Sequence, residues 1–212
     1  MAPLRGVRGL EPGKRVAVVI HEWQRGTVDP ELTGIPGLAA HAASHQGTEN
    51  INRVTQAARA AGVPVFWSTI EPRADRVGTA GNSVLLAGLH SGTLSAGTAE
   101  ADLHPGIEAD TERDVWIRRV HGLTPFHGTE LEPYLRERGV QTVILCGVSV
   151  DVGIPGAALE AVNRGFSVVV PADCTAASKP EIHEYIIAHQ LRLIATISNA
   201  DAVVAAITGL AV

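Results

Sequence analysis

The chain has 212 residues, of which 45% are hydrophobic, and its 22 acidic against 17 basic side chains give a formal net charge of -5. That length supports one sizeable core rather than two crowded ones. Neither sign forms a block, so there is no electrostatic footprint for nucleic acid or an anionic membrane surface, and a small molecule is the expected partner.

Residues 1–14 carry Arg, Gly and Pro but no continuous apolar stretch of the kind a secretory leader needs, and no later run reaches the length of a membrane span. They read as an N-terminal tail ahead of a single domain over 15–212, in a soluble, cytoplasmic protein. Val16–Ile20 is then a short apolar run rich in β-branched residues, which predicts a buried strand. A helical period follows at Ile51, Val54, Ala57, Ala58 and Ala61, closed by Gly62 with Pro64 beyond it. Val63–Ser68 predicts the second strand.

Between Glu71 and Asp114 the pattern dissolves into Gly, Ser, Thr, Ala and His, with helical hints at Leu85–Leu89. A long excursion of this kind covers one end of the sheet as an active-site wall, or is a surface insertion or oligomer contact. Val115–Ile117 predicts the third strand. Thr129 and Glu132 have the spacing of a capping box, and Leu131, Tyr134 and Leu135 supply a helix face that Gly139 ends. Thr142–Cys146 predicts the fourth strand, a helix follows over about 154–164, and Phe166–Val170 predicts the fifth. Another helix begins near Ser178 with Pro180 in its first turn, and Leu193–Ile197 predicts the sixth strand. Both cysteines, Cys146 and Cys174, fall in or beside apolar runs, where a reduced buried thiol is the ordinary state.

Strands alternating with helices imply an α/β fold, a doubly wound, three-layer arrangement around a mainly parallel six-stranded sheet. In such sheets ligands bind beyond the carboxyl ends of the strands. The candidates are therefore His21, Glu22, Trp23 and Gln24 after the first strand; Thr69 to Glu71 after the second; Arg118, Arg119 and His121 after the third. After the fourth, Val148, Ser149 and Gly153 lie in a turn opening a helix whose free N–H groups can hold an anion or a developing oxyanion.

These segments resemble the isochorismatase-like hydrolase superfamily. Val19 to Arg25 is similar to that family's strand-one motif, with Glu22 in place of its Asp. Arg119 through Leu131 is similar to the stretch that begins at the family's catalytic Lys, with Arg119 at that position. Leu145 to Ile154 resembles the elbow where amidohydrolase members carry a nucleophilic cysteine, and Gly153 stands there. The isochorismatases of siderophore and phenazine pathways also have Gly at this point and hydrolyse a vinyl ether with the strand-one acid. The resemblance implies strand order 3-2-1-4-5-6 and a homodimer or higher homo-oligomer; no cofactor is expected, and no metal, because no recognisable metal-ligand signature is present in the sequence. It implies Glu22, Arg119 and Gly153 as catalytic, with Gln24, Trp23, Glu71, His121, Ser149 and Val148 contacting substrate.

Two arrangements of the central pair remain open in the sequence. If Arg119 touches Glu22, an ion pair suits Glu22 to act as a base on water; if Arg119 clamps substrate, Glu22 is free to act as an acid. Glu71 stands where isochorismatases have a Gln, and a negative charge there disfavours a dicarboxylate. His41 and His45 have i, i+4 spacing without a recognisable third ligand. Trp23 and Trp67 serve as pocket wall or as core. The leading reading is a non-covalent hydrolase of a small vinyl-ether-like or amide-like metabolite; the alternatives are a cysteine-free amidohydrolase, lyase or isomerase, or a binding pseudoenzyme.

Overall fold

A computed structural model describes residues 6–210. Its helices are α1 (Arg25–Val28), α2 (Pro36–Ser44), α3 (Gly47–Ala60), α4 (Val84–Ser91), α5 (Leu131–Glu137), α6 (Gly153–Asn163), α7 (Pro180–His189) and α8 (Ala200–Thr208). The strands are β1 (Val16–His21), β2 (Val65–Ile70), β3 (Val115–Arg119), β4 (Thr142–Val148), β5 (Ser167–Pro171), β6 (Thr175–Ala176) and β7 (Thr196–Ser198). All pairings between these strands are parallel, in the order β3-β2-β1-β4-β5-β7, with β6 pairing the end of β4. The expected order is therefore present, with the outer strand seventh rather than sixth in the chain. The additional strand is two residues long, too short to leave a hydrophobic run in the sequence.

β1 sits centrally and is buried along its whole length, which is why it reads as a continuous apolar run. Successive side chains still alternate between faces. Val16, Val18 and Ile20 pack with Leu38 of α2, Ile51 and Val54 of α3 and Val203 of α8. Ala17 and Val19 pack on the other face with Leu131 of α5, Ile154 and Ala158 of α6, and the partly buried Ile182 and Ile186 of α7. These two apolar layers, one on each side of the sheet, make the three-layer sandwich.

Residues 1–5 of the tail and 211–212 of the domain lie outside the described residues. Within the rest of the tail, Leu10 is buried against the core and the Gly9 carbonyl accepts a hydrogen bond from Thr142 Oγ1 at 2.7 Å. The capping box at Thr129 does not form. α5 starts at Leu131, Thr129 donates its hydroxyl to the Pro125 carbonyl, and Glu132 pairs with Arg136 and Arg164 instead. Among the described residues no helix is long and apolar enough to cross a membrane.

Candidate active site

β1 ends at His21, and the next residue, Glu22, takes a left-handed conformation with φ of 53°. A non-glycine residue there costs about 1–2 kcal/mol, and here the surroundings hold it. The Glu22 N–H donates to the Ser68 carbonyl at 2.8 Å and its carbonyl accepts from Thr27 Oγ1 at 2.5 Å. The bend turns the Glu22 carboxyl into a cavity of about 490 Å³ at the carboxyl end of the sheet. Ser149, Val152 and Gly153 line the same cavity, as does Val148; the Val148–Ser149 peptide is cis.

Arg119 lies behind this carboxyl rather than in the cavity. Its side chain is 1% exposed and its guanidinium is shared among three acceptors: Glu22 Oε1, the Gly122 carbonyl at 2.9 Å and Ser68 Oγ at 3.2 Å. Of the two arrangements open in the sequence, the structure has the ion pair. Glu22 Oε2 has no protein partner among the described residues, and the Glu22 side chain is 20% exposed, on the cavity side. Arg119 thus anchors one carboxyl oxygen and leaves the other for a ligand or water.

His21 completes the group from below. By strand alternation it falls on the Ala17 and Val19 face, towards α6. It is wholly buried, its Nε2 lies 3.7 Å from Glu22 Oε1, and its Nδ1 has no hydrogen-bond partner among the described residues. Burial, reinforced by the Arg119 charge and opposed by Glu22, pushes its pKa down to about 4, so the ring is neutral near pH 7.

Gly153 opens α6 with no side-chain cap preceding it. The Ile154 N–H is taken by the Ser149 carbonyl at 3.0 Å, Pro155 has none to give, and the Gly153 N–H is left without an acceptor among the described residues. That free donor at a helix start, beside Glu22, suits a developing oxyanion. A Cβ built on Gly153 would sit 2.9 Å from both Cδ2 and Nε2 of His21. At the neighbouring strand end, Gly147 has φ of 110° and a Cβ there would fall 2.0 Å from the His21 carbonyl oxygen, so β4 approaches β1 only because position 147 is glycine.

Four expected substrate contacts fall elsewhere. Gln24 is wholly buried and clamps two chain segments: its Nε2 donates to the carbonyls of Ile70 and Ala101, and its Oε1 accepts from the Ile70 N–H at 2.7 Å. Trp23 is a core residue that donates Nε1 to Thr48 Oγ1, as Trp67 donates to Asp114. Glu71 accepts from Thr69 Oγ1 and pairs with Arg118, and His121 accepts from the Ala80 N–H; neither lines the cavity.

The excursion over residues 71–114 builds the wall those residues were expected to supply. Leu85, Leu86 and Leu89 of α4, with Leu94 and Glu100, line the cavity that receives Glu22. The segment is pinned at Gly26, where a Cβ would meet Leu94 at 2.8 Å and the Glu100 carbonyl at 2.9 Å, and by a bridge between Gln24 and Leu103. These wall residues have no shared motif in the sequence; their leucine content is the one signal that could have found them. His41 and His45 come together with His183, but each spends a ring nitrogen on β6 or the residue after it: Ala177 N–H, Thr175 carbonyl and Thr175 hydroxyl respectively.

The isochorismatase domain family matches residues 16–202. The isochorismatase family protein YecD of Escherichia coli O157:H7 is 34% identical over 105 residues, covering 49% of this chain and 55% of that protein. N-carbamoylsarcosine amidase of an Arthrobacter species is 29% identical over 126 residues, covering 58% of this chain and 47% of the amidase. The chain spans about half the length of these curated relatives. A crystal structure described as a cysteine hydrolase from Pseudomonas syringae pv. phaseolicola superposes with a TM-score of 0.83 over 96% of this chain and 97% of that one, at 22% identity, which speaks for the fold. With the strand order, the acid at the end of β1 and a family match running through nearly all of the sheet, the chain belongs to the isochorismatase family of isochorismatase-like hydrolases.

Proposed function

We propose that the protein is a hydrolase that works without a covalent cysteine intermediate, using Glu22 as a general base on water. The observation that carries this reading is the division of the Glu22 carboxyl: Oε1 is held by the buried Arg119, while Oε2 has no hydrogen-bond partner among the described residues, and Glu22 lines the same cavity as Gly153. Arg does not release its proton near neutrality, so Arg119 positions Glu22 and relays nothing. At a carbonyl, a water on Oε2 would lose its proton to Glu22 as its oxygen attacks; at an enol ether, the proton that Glu22 takes from water would pass to the β-carbon of the C=C bond, the hydroxide oxygen would add to the resulting oxocarbenium carbon, and the hemiacetal would then expel the alcohol. For an amide, the oxyanion that forms would accept from the Gly153 N–H, and Glu22 would return the proton to the leaving nitrogen.

Position 153 carries no thiol, and Cys146 and Cys174 are both buried in the core away from the cavity lining. Burial raises the Cys174 thiol well above its ordinary value, which is the opposite of an activated nucleophile. The similarity to an amidase supports amide-like substrates, and the glycine at the elbow supports the enol-ether class.

The test is turnover of small amides and enol ethers by the wild type, Glu22→Gln and Glu22→Asp, with folding checked by circular dichroism. Loss of a general base is expected to lower kcat by about 10²–10⁴ in Glu22→Gln. Glu22→Asp, which keeps the charge but withdraws it by a methylene, should fall between. Equal rates in all three proteins would defeat the assignment, and a wild type that binds but turns over neither class would make this a ligand-binding member of the family.

A further inference from the structure

The cavity that receives Glu22 has a one-sided chemistry. Its walls are leucine, isoleucine and valine from four segments: Leu32, Ile35 and Leu38 before and within α2, the α4 leucines, Leu123 after β3, and Val152 before α6. Two carboxylates, Glu22 and Glu100, are the charged groups among its lining residues, and among the described residues no Lys, Arg or His lines it. No aromatic ring among the described residues lines it either, so its lining offers no stacking face.

Three arginines that adjoin or bond to lining residues are committed elsewhere. Arg25, next to the lining residue Gly26, bonds Asp29 Oδ2 at 2.7 Å and lies 3.8 Å from Glu31. Arg76 donates to the carbonyls of Gly92 and Leu94, both on the cavity wall, and thereby fastens the wall rather than presenting charge to the cavity. Arg119 is spent on Glu22, Ser68 and Gly122. Glu100 stays ionised at neutral pH, since its own backbone N–H and then the hydroxyls of Thr98 and Thr93 hold its carboxyl below the usual range.

We propose that the substrate is an aliphatic amide or enol ether carrying no negative charge, neutral or with an ammonium group, and that carboxylate-bearing and aromatic compounds are discriminated against by Glu22, Glu100 and the leucine walls. This rests on Glu22 as the reacting base but concerns what the cavity admits. A ligand carboxylate would enter an apolar cleft whose lining carries two carboxylates, Glu22 already paired with Arg119, and no cation among the described lining residues to receive it, which disfavours it. Alkyl groups gain from covering the leucines. An ammonium group finds Glu100, on the excursion that lines the same cavity.

Binding and turnover are measured separately on hexanamide, its ω-amino derivative, its ω-carboxylate analogue of equal length, and benzamide. By titration calorimetry or ligand-observed NMR with the wild type, hexanamide and the amino derivative should bind at least about tenfold more tightly than the ω-carboxylate, a factor reduced from the buried-charge limit because the cavity is open to solvent. Glu100→Gln should narrow that ratio and Glu100→Lys should invert it. Equal or tighter binding of the carboxylate or of benzamide by the wild type would overturn the proposal, as would no binding of hexanamide at millimolar concentration. Binding in the expected order without hydrolysis supports this substrate class and defeats Glu22 chemistry; hydrolysis without the expected order does the reverse.

Discussion

The His21 ring occupies the space that a side chain on Gly153 would need. With 2.9 Å from a Cβ at position 153 to both Cδ2 and Nε2 of His21, neither residue can change size without the other responding. A buried ring on a central strand has little room to turn aside. Gly153→Ala, which at an ordinary helix start would be neutral or favourable, should destabilise the protein by about 1–3 kcal/mol through overpacking. Most of the cost should be lost in a His21→Ala background, where the Val148 carbonyl oxygen at 3.2 Å is the close neighbour that remains, giving a coupling of about 0.5–3 kcal/mol in a double-mutant cycle read by urea denaturation. Gly153→Cys should follow the same rule, so its thiol reacts with iodoacetamide faster in the double variant than in the single one. Additive energies would show that the two sites do not compete for space.

Gln24 is the strut on which the cavity wall depends. Its amide saturates the Ile70 N–H and the Ile70 and Ala101 carbonyls, joining the end of β2 to the excursion that carries Glu100. Gln24→Leu would leave those groups buried without partners, at about 1–3 kcal/mol for each one that water cannot reach. A fall in stability of a few kcal/mol is expected, with faster amide hydrogen exchange over residues 94–103 than elsewhere. Exchange unchanged in that segment would mean that the strut is dispensable.

The sheet is legible in the sequence because each buried parallel strand is a run of β-branched residues with its crossover helix marked by period and by glycine, as at Ile51 to Gly62. That a cavity opens at the carboxyl end of the sheet is legible too, and Glu22, Ser149 and Gly153 line it. What escapes is direction. Strand alternation carries through His21 and stops at Glu22, whose left-handed φ sends the carboxyl to the cavity and leaves Trp23 and Gln24 to turn inward. Nothing in the residue types distinguishes those three. The cavity wall escapes for another reason: α4 and Leu94 lie in a segment without periodicity, held by bonds such as Arg76 to the Leu94 carbonyl that no local pattern encodes.

Two histidines make the fold sensitive to mild acid. His21 and His183 both have pKa values pushed down to about 4, the first by complete burial and the second by burial and then the neighbouring His41 and His45. As pH falls below the ordinary 6.5, the unfolded chain takes up protons that the folded chain refuses until near pH 4, so stability drops across that window and is fully present above it. For His21 the loss approaches about 3 kcal/mol at the low end. Urea midpoints measured from pH 7.5 to 4.5 should fall, and His21→Leu and His183→Gln should each flatten the profile. A flat profile in the wild type would contradict the burial of both rings.

Arg119 should matter to the rate and not to binding. It is 1% exposed and does not line the cavity, so its effect on a ligand runs through the Glu22 carboxyl it holds. Arg119→Lys keeps the positive charge but replaces a planar fork serving Glu22, Ser68 and Gly122 with a single ammonium, which cannot meet all three acceptors from one position. Displacing Glu22 by about 1 Å is enough to lower kcat by about 10²-fold, while KM should stay within a few-fold of wild type. The opposite split, a raised KM with kcat preserved, would put Arg119 in contact with substrate and return Glu22 to the role of an acid.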